Sequence, residues 1–159
     1  MENYIKTVLY AYPLLKTVGE DYAAHIRNKA VLSYNSRFTT EKLAEYLAEE
    51  ILRKNSLVCL KEKIDSVLHK LSDMERELIA VRYFGKRNAK AGLDKPLDDK
   101  GWNERKYFRF MQRLSEKIGG MLKVAGVTRE FFEGELLPIE VIGKIHRFVE
   151  EGKEKRLKA

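Results

Sequence analysis

Two stretches, LSDMERELIAVRYFG (71–85) and GWNERKYFRFMQRLSEKIGGMLKVAG (101–126), decide how this chain reads. In the first, Ser72-Asp73-Met74-Glu75 has the form of a capping box. The serine hydroxyl can accept the backbone N–H three residues on, and the glutamate can reach back to the serine N–H, so two otherwise unpaired donors are satisfied together. A helix is predicted from there through Met74, Leu78, Val81 and Arg82 to Phe84, with Gly85 suited to the left-handed conformation that closes a helix. In the second stretch Asn103 is an N-cap, and Glu104 falls in the first turn, where a negative charge meets the positive end of the helix dipole. Trp102 and Tyr107 are spaced for a hydrophobic staple across that cap. Tyr107, Met111, Leu114, Ile118 and Met121 then form an apolar stripe, while Arg105, Arg109 and Arg113 recur every four residues on another side. Gly119 and Gly120 weaken the later turns, and Gly126 ends the helix.

Between the two, residues 85–101 are polar and basic, with Leu93 and Leu97 the sizeable apolar side chains and Pro96 opposing a long helix. They read as an extended loop. Working outward, Ile5, Val8, Leu9 and Tyr12, then Tyr22, Ile26 and Ala30, recur at helical spacing, with a break expected at Pro13. Tyr34 to Thr40 reads as a linker, and Thr39 or Thr40 caps a helix carrying Leu43, Leu47, Ile51 and Leu52. Asn55 and Ser56 are candidate punctuation before Leu57, Leu60, Ile64, Val67, Leu68 and Leu71, which fit either a new helix or the same one continued. Near the other end Thr128 caps a short helix with Phe131 and Phe132. Pro138 suits a first helical turn ahead of Ile139, Ile142, Ile145, Phe148 and Val149. The fold class is therefore all-α, a multi-helix bundle. Its organisation is a helical region over 1–71 serving the core or self-association, a central unit over 72–126, and a helical segment with a basic tail over 127–159.

Composition agrees. At 159 residues the chain can bury one real core, and 44% hydrophobic with 35% charged residues is too apolar for intrinsic disorder. Three prolines leave few helix breakers. A single cysteine, Cys59, in the apolar run 57–60, excludes a disulfide framework or a zinc cluster within one chain and suits a reducing cytoplasm. No apolar run approaches the ~20 residues a membrane span needs, and the N-terminus lacks a signal-peptide layout, so no membrane partner is expected. Net charge is +7, and residues 72–126, with 13 basic against 8 acidic groups, hold most of the excess. A basic segment suits a polyanion.

Catalytic chemistry has little to work with. His25, His69 and His146 are scattered and belong to no nucleophile or metal motif. Asp65 and His69, four apart, share a helical face but lack an evident third ligand; Glu45 and Glu49 read as solvated charges; Cys59 has no base beside it. Neither an enzyme, nor a cofactor, nor a metal site is expected. Two capped helices joined by a basic connection instead fit a helix-turn-helix reader of double-stranded DNA. The base-reading candidates are Asn103, Arg105, Lys106, Arg109, Gln112 and Arg113, because Arg and Lys can meet guanine edges and Asn and Gln adenine edges. The phosphate-contact candidates are Lys86, Arg87, Lys90, Lys100 and Lys117. The arginine spacing equally fits the wet face of an ordinary helix.

LSDMERELIAVRYF (71–84) followed by GWNERKYFRFMQRLSEKIGGML (101–122) resembles the C-terminal DNA-binding region of RNA polymerase sigma factors, and more closely the sigma-like ArpU- and RinA-type regulators of phages and Gram-positive bacteria. The resemblance is carried by Arg82-Tyr83-Phe84 and by Trp102, Asn103, Glu104, Arg105, Tyr107, Phe108 and Arg109, and it covers about a third of the chain. It implies a sigma-like helix-turn-helix and a transcriptional regulator. Residues 1–71 do not carry the promoter-melting region of a full sigma factor, which favours a regulator or adaptor over an initiation factor. The alternative partner is protein: the same basic helix docking on RNA polymerase without touching nucleic acid. Self-association stays open, because dimerising and core helices share one apolar pattern.

Overall fold

A computed structural model describes residues 1–32, 39–85 and 103–152; the basic connection 86–102 and the tail from 153 lie outside them, with the phosphate-contact candidates Lys86, Arg87, Lys90 and Lys100 and the staple residue Trp102. The described residues are all-helical: α1 (Asn3–Leu32), α2 (Thr40–His69), α3 (Asp73–Tyr83), α4 (Glu104–Val124), a single turn α5 (Arg129–Phe131) running into a π-helical turn (Phe132–Leu136), and α6 (Glu140–Glu150). None of these helices is long and apolar enough to cross a membrane.

Helix α1 runs through Pro13, where a break was expected. Proline removes one backbone hydrogen bond, but Leu9, Tyr10, Ala11 and Leu15 are buried on either side of it, and tertiary packing outweighs the local loss. Helix α2 is likewise continuous through Asn55 and Ser56. The Ser56 hydroxyl donates to the Leu52 carbonyl at 3.0 Å, a bond made within the helix, so the serine punctuates nothing. Thr39 caps α2 by accepting the Lys42 N–H. Tyr12 meets Asp65 and His25 meets Tyr46, so α1 and α2 run antiparallel. Towards the outer ends of this pair Leu43 and Leu47 are only half-buried, and Ile51 and Leu52 of the expected apolar face are exposed.

The inner halves build the core. Ile5 and Leu9 of α1, Leu57, Leu60 and Ile64 of α2, Ile79 of α3, Ile118 and Leu122 of α4, then Phe132, Leu136, Ile139 and Ile142 are all fully buried in one cluster. The three sequence segments thus share a single core rather than folding apart. Helix α1 packs on α2, α3 and α6, and α2 packs on α4 and the π-helical turn. Pro138 lies just before α6, whose N-cap is Ile139, rather than inside its first turn. Between α1 and α6, the fully buried Thr7 hydroxyl donates to the Asn3 carbonyl at 2.8 Å and lies 2.9 Å from Nδ1 of His146.

Candidate nucleic-acid interface

Helix α3 starts as its residues dictate. The Ser72 side chain accepts the Glu75 N–H at 3.2 Å, and Glu75 Oε1 accepts the Ser72 N–H at 3.1 Å, closing the capping box. At its far end Phe84 is the C-cap, and Gly85, at φ +64°, takes the left-handed conformation that an L side chain resists. The Arg82-Tyr83-Phe84 turn works as an anchor. Tyr83 packs edge-on against Tyr10 at 4.9 Å between centroids and Phe84 packs on Tyr12 at 4.7 Å, fixing α3 to α1.

Helix α4 starts at Asn103, whose Oδ1 accepts the Lys106 N–H at 2.9 Å. Its bidentate reading of adenine would need that oxygen as well as the amide nitrogen. Asn103 is therefore a cap before it is anything else. The helix continues through Gly119, which is buried, and Gly120, and it stops at Ala125 and Gly126. Gly126 sits at φ +101°, and a Cβ there would also strike the Lys63 ammonium, which donates to the Ala125 carbonyl at 2.8 Å.

The two faces of α4 separate cleanly. Inward, Met111, Leu114, Ile118 and Leu122 are buried, with Tyr107, Phe110 and Met121 packed against the same core. Outward, Arg105, Lys106, Arg109, Gln112 and Arg113 are all exposed. Arg105, Arg109 and Arg113 make no ion pair with another described residue, and successive ones are displaced by roughly 6 Å along the axis. Glu104 and Glu116 are the acidic residues of this helix. Against them stand Arg105, Lys106, Arg109, Arg113, Lys117 and Lys123, so the outward side is net cationic.

Lys117 is differently placed. Its ammonium donates to both carboxylate oxygens of Glu75, at 3.2 and 3.1 Å, and so ties α4 to the first turn of α3. The half-exposed cation thus braces the two helices. Burial by itself would push the Glu75 carboxyl up, but the Ser72 hydrogen bonds and the Lys117 charge outweigh it and hold the group below its ordinary value.

Of the groups weighed for catalysis, Asp65, His25 and His146 each have partners of their own. Asp65 accepts from Tyr12 and from Lys61 at 2.7 Å, and no group of three His, Cys, Asp or Glu side chains comes together among the described residues. His25 pairs with Tyr46, and His146 lies between Thr7 and Glu150. Cys59 is half-buried.

One residue of this surface was not among the sequence candidates. Phe108 stands 65% exposed on α4, three residues after Arg105 and four before Gln112. The signal was present in the aromatic-arginine pair Phe108-Arg109, but helical spacing alone does not say on which side of an apolar stripe a flanking ring falls. Comparison with protein-family models, with curated proteins and with solved structures finds no match to this chain.

Proposed function

We propose that this chain is a sigma-like, DNA-binding transcriptional regulator, and not an enzyme, in which α3 and α4 act as a helix-turn-helix pair and α4 reads the duplex. The observation that carries the reading is the outward row Arg105, Arg109 and Arg113, exposed and without ion pairs to other described residues, on a helix whose opposite stripe is buried. A row of this kind near a helix N-terminus suits the major groove, which is about 12 Å wide and offers guanine O6 and N7 between two lines of phosphate. The resemblance of 71–84 and 101–122 to sigma-like regulators supports the same assignment. Arg105, Lys106, Arg109, Gln112 and Arg113 are the proposed reading residues, with Asn103 as the cap that sets the helix start.

Fluorescence anisotropy against a random 20-base-pair duplex tests it. The expected result is non-specific affinity of ~10⁻⁴–10⁻⁶ M at physiological salt, with the logarithm of affinity falling linearly with the logarithm of salt concentration. Arg109→Ala is expected to make that slope shallower by about 0.9 if its guanidinium displaces one counterion. Arg105→Ala and Arg109→Ala should each cost roughly 1–3 kcal/mol on a preferred sequence if they meet bases. Absence of duplex binding even at low salt refutes the proposal and favours docking on RNA polymerase through the same face.

A further inference from the structure

Phe108 is the one aromatic ring among the exposed large apolar side chains of the described residues. Its position is specific. Arg105, Phe108 and Gln112 follow one another at i, i+3 and i+7, which places them on a single flank of α4. The ring is not adrift on that flank, because it packs edge-to-face on Tyr107, itself packed against the core, at 6.1 Å between centroids. The surface is thus a held apolar disc between a guanidinium and a carboxamide.

Resting on the duplex-reading assignment above, we infer that Phe108 recognises the C5 methyl group of thymine in the major groove, beside bases met by Arg105 and Gln112. The chemistry favours this occupant over a protein groove. A protein pocket that swallowed Phe108 would also have to desolvate or pair Arg105, one turn before it, and Arg109, the next residue. The major groove presents both requirements on one floor: acceptors for guanidinium and carboxamide, and a methyl group wherever the base is thymine. Arg105 and Gln112 fix the register, and Phe108 adds discrimination of thymine from cytosine at the step between them.

The test uses the full chain and a duplex recovered from a random pool by repeated selection with the wild-type protein. Each thymine of that duplex is replaced in turn by uracil, which deletes the methyl and nothing else. Wild-type protein is expected to bind about fourfold more weakly at one or two of these positions, the size of one methyl group returned to water. Phe108→Ala should bind the thymine and uracil duplexes equally, keep the wild-type salt slope because no charge is altered, and melt within a few degrees of wild type because the ring is mostly exposed. Salt-dependent binding with no uracil effect at any position overturns the role of Phe108 while leaving duplex reading intact, and so does a uracil effect that survives in Phe108→Ala. Failure to enrich any sequence, together with no affinity for any duplex, overturns the reading beneath it and this inference with it.

Discussion

Replacing Glu75 by glutamine isolates the brace between α3 and α4. Glutamine keeps an oxygen that can accept the Ser72 N–H, so the capping box survives in outline and the loss falls on the charge facing Lys117. The Glu75 side chain is 15% exposed and the Lys117 side chain 49%, so this pair is better shielded than an ordinary surface ion pair yet still partly screened. A cost of about 1 kcal/mol follows, at the upper end for exposed pairs, equivalent to a fall in Tm of roughly 2–4 °C for a domain of this size. The pH dependence carries a definite sign. The carboxyl is held below its ordinary value in the folded chain, so on acidification the unfolded chain takes up the proton first. The stability difference between wild type and Glu75→Gln should be fully present above the unfolded value of about 4.3, and it should be lost as pH falls through the lower folded value. Urea denaturation followed by circular dichroism at pH 7, 5, 4 and 3 measures it. A difference that stays constant down to pH 3, or grows there, refutes the assignment of the brace to an ionised Glu75.

Gly126→Ala should destabilise the protein by at least ~1 kcal/mol, read as a lower urea midpoint at unchanged slope, because alanine resists φ +101° and its methyl displaces Lys63 from the Ala125 carbonyl. Tyr12→Phe removes the donor to Asp65, whose carboxylate keeps the Lys61 bond among the described residues, and is expected to cost about 1–2 kcal/mol in thermal melts. The same phenol, pushed up to about 12 by burial and by the Asp65 carboxylate, should stay protonated in ultraviolet titration after exposed tyrosines have ionised.

Features that depend on nearest neighbours in the chain were legible beforehand. The Ser72–Glu75 box, the Asn103 and Thr128 caps and the closing glycines Gly85 and Gly126 are satisfied by atoms or backbone angles within a few residues, and the inward stripe from Met111 to Ile118 follows from helical spacing. What depends on partners far away in sequence was not. Pro13 interrupts nothing because residues around it are buried by other helices, and Ser56, besides its bond to Leu52, donates to Glu135, 79 residues away. Lys117 looked like one more cation on a basic face until Glu75, 42 residues away, was brought beside it. The same reasoning explains Phe108. Whether a ring on the border of an amphipathic stripe is covered depends on the width of the neighbouring helices, a quantity no periodicity contains.

The contact between Thr7 and His146 spans 139 residues. A ribosome adding ~5–20 residues per second therefore leaves the first helix waiting roughly 7–28 s for the last one to emerge. During that interval the apolar side of α1, with Ile5, Val8 and Leu9 at its centre, has no α6 to cover it. Nascent chains of this protein are accordingly sticky along α1, and a chaperone that shields newly made helices has a defined stretch to hold.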